Sequence, residues 1–424
     1  MLLGGAIGAL AGNQPGQPPT PDSKPFDWQA QHRSIPVPQH LPTHPLAALH
    51  GRVHHSFEVL PVQQSRLRFN YSLGNVWLPG VSIYQPLDPS TAQELEGIEW
   101  QLRQYSFNPD SEPNDSYYFA ADGVLRQFNL SYETALRKGP LGASRTRWEL
   151  RTHATMLLLD PGKAPSALLN SDDFIEWFHS NVRGPEDPFA RRAMSMNEAG
   201  ILYRDAKGYE LEMQSGDVWL STAQADLRYY WGGASARQTQ WFGTFGLHPA
   251  LRAGYGQFGA DVGISTSIMR AIPLSSGPDN TGRRLILGAA GDVVRHNLLE
   301  RSQNVDISTR SSLMSAEINL SYEGKKRPGY QMAYGINYRC NESLHNNAET
   351  TGQVLAAPFT SYHWHHAGAH LFHNSHGWTF YMAYQRKRFN ASVYVREDFP
   401  IDNAPDLQTG LELIYHLKAG RMTR

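Results

Sequence analysis

Apolar and polar residues alternate one by one along most of this chain from about residue 52 onward. Residues 66–73 and 258–268 alternate without a fault, and 314–322 and 330–338 are two such runs joined by a turn rich in Gly and Lys. Because successive side chains of a β-strand point to opposite faces, the pattern predicts strands with one apolar and one polar face. Further alternating runs lie near 53–61, 98–107, 124–132, 147–158, 225–231, 239–247, 284–295, 360–371, 377–385, 389–396 and 407–417. The sequence therefore predicts an all-β protein.

The composition excludes several classes of protein. No run approaches the ~18 consecutive apolar residues that a membrane-spanning helix needs, whereas a transmembrane β-strand needs only ~10 residues that are apolar at alternate positions. The 424 residues carry a formal net charge of −1, which argues against a nucleic-acid partner held by a basic surface. Cys340 is the only cysteine, so an intramolecular disulfide or a cysteine-based zinc cluster is excluded.

The chemistry of the two strand faces favours a membrane barrel over a soluble sandwich. Aromatic residues form 11% of the chain, although its mean hydropathy is −0.48, and several lie near strand ends, where interfacial girdles sit. The predicted strands also extend over more of the chain than one sandwich needs. We therefore expect an antiparallel transmembrane β-barrel of about 12 strands, within a range of roughly 10–16. A soluble all-β protein is the alternative.

The two ends of the chain differ from this pattern. Residues 1–11 are uncharged and mostly apolar, which indicates a signal-peptide remnant or else a flexible apolar N-terminus. Residues 12–48 contain nine prolines and predict an extended leader before the folded part, so that 49–424 form a single barrel domain. Within the barrel, 171–179 predict a short amphipathic helix in a long loop.

Two motifs carry a resemblance to a known family. One is the run Phe174-Ile175-Glu176-Trp177-Phe178-His179, and the other is the block 397–406, with Glu397-Asp398 at its start and Asp402-Asn403-Ala404-Pro405-Asp406 at its end. With them, residues 45–417 resemble an uncharacterised, domain-of-unknown-function family of Gram-negative outer-membrane β-barrel proteins. The resemblance implies a bacterial outer-membrane location, contact with outer-membrane lipids and recognition by the barrel-assembly machinery. It implies no activity.

A barrel of this size encloses a narrow polar lumen, and passive, porin-like passage of small solutes is the first functional hypothesis. A non-conducting structural or binding barrel, plugged by the long loop near 160–215, is another. If the apolar side chains face lipid, the lumen-lining residues are Arg66, Arg68, Arg126, Glu149, Arg151, Glu317, Asn337, Arg339 and Glu412.

A lipid hydrolase is the alternative function. His373 and Ser375 lie two residues apart on one predicted strand face, as do the His and Ser of outer-membrane lipid hydrolases, where imidazole activates the hydroxyl. Asn374-Ser375-His376-Gly377 is also typical of a turn, and the sequence indicates no orienting acid. The sequence therefore favours a protein that is not an enzyme.

Metal and cofactor sites are weaker hypotheses. His363 and His365 share one strand face, at the spacing of a two-ligand metal clip, although an ordinary polar lining explains them as well. Residues 254–259 match G-x-G-x-x-G, but a strand pattern follows where a dinucleotide site needs a helix. The acidic residues of 397–406 are explained by Ca²⁺ binding or, more simply, by turn chemistry. No cofactor is therefore expected.

Overall fold

The structure is a computed structural model that describes most of the chain beyond residue 34. The described residues form fifteen strands, one α-helix and two short 3-10 helices. The described residues are 35–42, 44–59, 65–84, 117–138, 144–163, 167–178, 181, 200–205, 207–231, 241–253, 257–274, 283–300, 304–327, 330–345, 352–355, 374–397 and 407–417. The strands are β1 (Arg66–Tyr84), β2 (Tyr117–Lys138), β3 (Ser144–Asp160), β4 (Gly200–Arg204), β5 (Glu210–Gln214), β6 (Val218–Trp231), β7 (Trp241–Arg252), β8 (Gly259–Pro273), β9 (Arg284–Glu300), β10 (Ser312–Arg327), β11 (Tyr330–Asn341), β12 (Gly352–Leu355), β13 (Ser375–Arg386), β14 (Phe389–Glu397) and β15 (Leu407–His416). The helices are α1 (Asp172–Phe178) and the 3-10 turns Ala47–Leu49 and Leu168–Asn170.

Twelve long strands close into an antiparallel barrel, which confirms the predicted fold class and strand number. Each long strand pairs with its neighbour in the chain, and the first and last strands close the ring. Phe69 of β1 pairs with Leu130 of β2 on one side and with Leu413 of β15 on the other. The short strands β4, β5 and β12 extend the sheet beyond the ring, where β4 pairs with the start of β2 and β12 with the end of β1. The closed ladder leaves no sheet edge within the ring.

The two faces of the wall differ in polarity, as the alternation predicts. Arg66 and Arg68 of β1 are buried inside, whereas Leu67 between them is exposed outside. The same holds across the barrel on β10, where Glu317 and Asn319 are buried and Ile318 is 60% exposed. This arrangement is the reverse of that in a water-soluble protein, where apolar side chains are buried and charged ones are exposed. An apolar outer surface is stable in contact with lipid.

The two ends of the barrel are unlike. Arg66 and His416, where β1 starts and β15 ends, lie at the end that has the short connections 139–143, 328–329 and 387–388. We call this the turn end. The opposite end carries the long connections 85–116, 161–217 and 342–374, and we call it the loop end.

Residues 35–42 and 44–59 lie inside the barrel, and we call the segment 35–59 the plug. Ile35 contacts Glu323, near the turn end of β10, and Ala48 contacts Ser221, near the loop end of β6. The chain then returns, so that Glu58 meets Arg66 at the turn end. The plug therefore crosses the interior twice and reverses at the loop end. The sequence assigns 12–48 to a leader before the folded part. Residues 35–42 lack a ladder, as their prolines require, but they lie within the barrel.

The plug reverses beneath an apolar cluster that closes the loop end. Leu46 and Leu49 of the plug pack there against strand ends, against the β4–β5 hairpin and against the connections between β9 and β10 and after β11. The cap consists of Leu46, Ala48, Leu49, Val76, Phe119, Ala121, Leu125, Leu157, Leu159, Ile201, Tyr203, Leu211, Met213, Trp219, Val305, Ile307 and Leu344. Beside β1–β6 the interior at this end is apolar, as in a soluble β-protein.

The 3-10 turn Leu168–Asn170 lies at the loop end, against the outer side of the wall, and α1 follows it. Asn170 Nδ2 donates to the carbonyl of Leu407, and the side chain of Asn75 donates to the carbonyl of Asn170. Ser171 Oγ accepts a hydrogen bond of 3.2 Å from the backbone N–H of Phe174 and so caps α1, as predicted. Trp177 remains exposed. Among the helices of the described residues, none is long and apolar enough to cross a membrane.

Leu157→Ala should lower the free energy of unfolding by about 2–5 kcal/mol, because the side chain is 1% exposed within the cap and its loss leaves a cavity. Leu169→Ala is the control, because Leu169 is 48% exposed, and it should change stability by less than about 0.5 kcal/mol. Denaturant titrations in detergent micelles, followed by tryptophan fluorescence, measure both. An equal effect of the two substitutions would contradict the packing of the cap.

Candidate functional site

The strongest concentration of buried polar groups lies where the plug meets the wall. On the way from the turn end to the loop end, the plug donates backbone N–H groups to carboxylates. Ile35 donates to Glu323 at 2.9 Å, and Gln39 donates to Glu412 at 3.0 Å. Asn70 Nδ2 in turn donates to the carbonyl of Gln39 at 2.6 Å. Wall side chains thus supply the backbone partners that an extended segment without a ladder needs.

The returning half of the plug is bound on other strands. Arg52 exchanges two hydrogen bonds with the side chain of Gln224 on β6, at 3.1 and 2.8 Å. One residue later, the carbonyl of Val53 accepts from Arg339 Nη1 on β11 at 3.1 Å. Strands on different sides of the ring therefore contact the same short segment, which is possible only in the interior.

A cluster of charges joins the end of the plug to β1, β2 and β15. Glu58 accepts two hydrogen bonds from Arg66, at 2.5 and 2.8 Å, in a bidentate pair. Arg66 also pairs with Glu133, and Arg68 Nε lies 3.0 Å from Glu133 Oε1. On its other side, Arg68 Nη1 lies 3.4 Å from Glu412 Oε2. Loss of one member would leave its buried partners without compensation.

A second cluster lies on β3 and β6. Arg228 donates to Glu149 at 3.0 Å and to Asp226 at 3.3 Å, and its Nη2 also donates to the carbonyl of His54 at 2.7 Å. Arg151 Nη1 lies 3.8 Å from Asp226 Oδ2. Arg228 thus connects the wall with the returning half of the plug, whereas Arg151 donates to the side chain of Gln39 in the first half.

The third cluster is centred on an imidazole of the plug. His55 Nδ1 lies 2.7 Å from Glu317 Oε2, and His55 Nε2 lies 3.0 Å from Asp292 Oδ2. Arg339 binds both carboxylates, at 3.1 and 3.2 Å, and Asn337 donates to Glu317 at 2.7 Å. Two carboxylates therefore face one imidazole and one guanidinium, an arrangement that favours a protonated His55.

The histidines of the plug differ in their protonation. Burial alone would lower the pKa of His55, but the hydrogen bonds to Asp292 and Glu317 outweigh it, and the pKa is raised above 6.5. Burial lowers the pKa of His40 to about 3, and its Nδ1 instead lies 3.0 Å from Thr379 Oγ1. Near neutral pH, His40 is therefore neutral, whereas the two carboxylates favour the protonated form of His55.

A serine, a histidine and an aspartate form a hydrogen-bonded chain across three neighbouring strands. His248 Nε2 lies 2.7 Å from Ser265 Oγ, and His248 Nδ1 lies 2.9 Å from Asp226 Oδ1. This is the order in which a base activates a hydroxyl and an acid orients the base. Gly246 leaves the pair uncovered, since a Cβ at that position would overlap His248 and lie 2.6 Å from Ser265 Oγ. The sequence did not indicate this hydrogen-bonded triad, because Asp226 and His248 are 22 residues apart and His248 and Ser265 are 17 residues apart, on three different strands.

The residues predicted to line the lumen are, with one exception, buried on the inner face. Arg126 is the exception: it lies on the outer face of β2, where its Nη2 is 2.7 Å from Asp160 Oδ2. The prediction assumed polar side chains inside along the whole strand. Beside β2, at the loop end, the cap makes the interior apolar, so Leu125 points inward and Arg126 outward. Inside, bound as described above or buried beside those clusters, are Arg66, Arg68, Glu149, Arg151, Glu317, Asn337, Arg339 and Glu412.

The predicted catalytic and metal pairs lie mostly outside the described residues. His363, His365 and His373 fall there, so neither the predicted metal clip nor the predicted His-Ser pair has a described geometry. Ser375 is the first residue of β13, and its Oγ accepts a hydrogen bond of 3.1 Å from Asn341 Nδ2.

Comparison with known proteins gives structural neighbours only. No family model matches this sequence, and no curated protein is found similar to it. A bacterial polysaccharide outer-membrane secretin is 9% identical, with a TM-score of 0.32 over 84% of this chain and 99% of its own. A KdgM porin in complex with disordered oligogalacturonate is 8% identical, with a TM-score of 0.29 over 71% and 97%. Outer-membrane phospholipase A from Escherichia coli is 9% identical, with a TM-score of 0.26 over 84% and 91%. These neighbours are outer-membrane β-barrel proteins.

His55→Gln should change how stability depends on pH. Because the folded pKa of His55 is raised, its proton stabilises the folded chain fully below about pH 6.5 and is lost as the pH rises through the folded pKa. The wild-type protein should therefore lose free energy of unfolding above about pH 6.5, and the variant should lose less. His40→Gln is the control, because His40 is neutral throughout this window. Denaturant titrations between neutral and alkaline pH measure this. Parallel profiles for wild type and His55→Gln would contradict the assignment.

Proposed function

We propose that this protein is a bacterial outer-membrane β-barrel whose lumen is closed by its own N-terminal plug, and that small polar solutes pass when the plug is withdrawn. The observation that carries the proposal is the double crossing of the interior by residues 35–59, bound to strands on all sides of the ring. Steady passive diffusion, as through an open porin, does not fit this conformation. A gated conduit does.

The outer surface supports the membrane location. Large apolar side chains are exposed around the ring, among them Leu130, Phe245, Ile264, Ile318 and Val393. Neighbouring positions on the same strands point inward and are mostly polar. An apolar belt of this kind gains free energy by contact with acyl chains and would promote aggregation in water.

Aromatic pairs border the apolar belt near the turn end. Trp148 and Tyr229 lie 5.1 Å apart between ring centroids, and Tyr330 and Tyr384 lie 6.0 Å apart. Arg386 lies 5.0 Å from the centroid of Tyr330, as a cation near lipid headgroups would. These contacts fit one membrane interface.

A second aromatic group lies near the loop end. Tyr338 and Trp378 are 4.7 Å apart, and Trp177 of α1 is exposed at the same end. Two aromatic girdles with an apolar belt between them are typical of outer-membrane barrels.

Connection lengths orient the barrel. Outer-membrane barrels have short periplasmic turns and longer extracellular loops, which assigns the turn end to the periplasm. Both ends of the plug, near residues 35 and 59, lie at the turn end. The plug can therefore leave as a loop toward the periplasm, without opening the wall.

The polar contacts of the plug fit a segment that can move. Most of its wall partners are carboxylates, guanidinium groups and amides, which water can replace, whereas the apolar contacts concentrate at the cap. After withdrawal, paired Arg and Glu side chains would remain on the wall. A lumen lined in this way favours small polar solutes over apolar ones.

Planar-bilayer recording tests the gate. The full chain should be mostly silent, and deletion of residues 35–59 should give discrete conductance steps. As a milder variant, Gly288→Ala should give brief openings, because its Cβ would overlap the ring of Phe57 in the plug. Gly291→Ala is the matched control on the same strand, since its Cβ would meet nothing closer than a carbonyl oxygen at 3.5 Å.

Heat-modifiable gel migration checks that each variant still forms a barrel. If the deletion variant folds correctly but does not conduct, the proposal that the barrel is a conduit is wrong. If the full chain conducts steadily, the proposal that the plug is a gate is wrong. A full chain that stays soluble and monomeric without detergent would contradict the membrane location itself.

A hydrolase is the second candidate, and one observation favours it: the chain Ser265–His248–Asp226. A small acyl substrate inside the lumen would meet a hydroxyl bound to a base, with the base bound to an acid. A fluorophosphonate probe should then label Ser265, and Ser265→Ala should abolish the label. Ser267→Ala is the control, because Ser267 lies on the same strand face and donates to the carbonyl of Ser56 instead.

The same experiment separates the two serine pairs. Labelling that survives Ser265→Ala and disappears in Ser375→Ala would assign the activity to the pair predicted from the sequence. If the probe does not label the full chain, both hydrolase hypotheses, the one at Ser265 and the one at Ser375, are wrong.

A further inference from the structure

Three buried side chains from three elements meet at the loop end, where the plug passes β8 and β9. They are His50 of the plug, Asp261 of β8 and His296 of β9, and one possible ligand atom from each lies within 4.8 Å of the other two. We propose that these residues bind one divalent transition-metal ion, of the Zn²⁺ class, and so join the plug to the barrel wall. The proposal does not rest on gating, because it needs only the plug in the position that it has in this structure.

The distances are close to those of a coordination sphere. His296 Nδ1 lies 3.3 Å from Asp261 Oδ2, and His50 Nδ1 lies 3.9 Å from the same oxygen. In a tetrahedral zinc site, ligand bonds of about 2.0–2.1 Å place neighbouring ligand atoms about 3.3 Å apart. A small rotation of His50 would complete this geometry.

The two imidazoles are otherwise poorly satisfied. Their ring centroids lie 4.1 Å apart, and both side chains are almost fully buried. None of the four ring nitrogens makes a well-formed hydrogen bond to any described residue. Buried polar atoms normally have a partner, and the imidazoles' contacts of 3.3 and 3.9 Å with the Asp261 carboxylate leave room for a missing ligand.

A local irregularity of β9 places His296 in the site. The β8–β9 ladder shifts register at Asp261, which faces residues 296–298 rather than a single partner. Asn297 in this stretch has a φ of 57°, in the left-handed region that costs a non-glycine residue free energy. Bulges of this kind reorient side chains beside functional sites.

The carboxylate is held by groups outside the proposed ligand set. Asp261 Oδ2 accepts from the backbone N–H of Gly51 at 2.8 Å, and Oδ1 accepts from the N–H of Asn297 at 3.0 Å. Each oxygen retains a lone pair, so these bonds orient the ligand without consuming it. Arg252 Nε lies 3.6 Å from Oδ1, the carboxylate oxygen that is not the one nearest the imidazoles. Its charge weakens the attraction for a cation, and we expect micromolar affinity.

The site borders a cavity that admits metal and water. A cavity of about 110 Å³ is lined by His50 and His296, together with Ser315, Asn341 and other polar groups. This volume exceeds the roughly 10–15 Å³ that one water needs. Water can therefore supply the fourth ligand of a site with three protein ligands.

Two imidazoles and one carboxylate select the metal by chemistry. Imidazole suits Zn²⁺, Cu²⁺ and Ni²⁺, whereas Ca²⁺ and Mg²⁺ prefer oxygen ligands only. The full chain in detergent should therefore bind one equivalent of Zn²⁺ in isothermal titration, and excess Ca²⁺ should not displace it. His50→Ala and His296→Ala should each weaken binding by at least about 10-fold, the lower end of what even outer-shell changes cost.

Two controls locate the site. His54→Ala changes another buried histidine of the plug, four positions from His50, and should leave the affinity unchanged. The double variant His363→Ala, His365→Ala should also leave it unchanged; if binding is lost there instead, the metal belongs to the pair predicted from the sequence, and the proposal falls. Heat-modifiable migration confirms that each variant is folded.

A spectroscopic readout needs no variant at the site. Cu²⁺ bound to the wild-type chain at one equivalent should show nitrogen hyperfine splitting from two imidazoles in its paramagnetic resonance spectrum. A wild-type chain that takes up no metal, or a Cu²⁺ spectrum without imidazole nitrogen, would overturn the proposal.

Discussion

Charge compensation inside the barrel is the constraint on which the arrangement depends. Arginine and carboxylate side chains project from the wall into a space with little water, where an unpaired charge costs several kcal/mol. Pairs between strands satisfy part of this requirement, and the plug satisfies the rest. Glu58 neutralises Arg66 and Arg68, while His55 lies between Asp292 and Glu317. The wall and the plug are therefore electrostatically incomplete without each other.

The sequence predicted the barrel well because one physical rule governs most of the strands. A wall between lipid and a polar interior needs alternate apolar and polar residues, and the period of two is readable without any partner strand. The rule failed at Arg126 because the environment reverses along β2: beyond the lipid belt the interior becomes the apolar cap and the exterior becomes polar. A single strand contains no signal that marks where this reversal occurs.

The plug and its contacts were beyond sequence reasoning for another reason. A proline-rich segment without periodicity is typical of an exposed leader, and only its contacts with side chains of the wall show that it is bound. His50 and Asp261 are 211 positions apart in the sequence. His296 reaches their site because of a bulge in β9, and no residue pattern in the sequence predicts that bulge. The Ser265–His248–Asp226 chain likewise depends on register between strands. Contacts of this kind follow from the pairing of the sheet, which sequence periodicity leaves open.

Entry and exit of the plug at the same end bear on how the molecule is assembled. The ring closes between β1 and β15, the first and last strands, so closure waits for the C-terminal strand. The plug precedes β1 in the chain and is present throughout. Because it enters as a loop, the strands can close around it or it can insert after closure, and neither order ties a knot. Insertion of the plug and closure of the ring are thus separable folding steps. A folding intermediate in which the ring has closed before the plug inserts would have a water-filled interior.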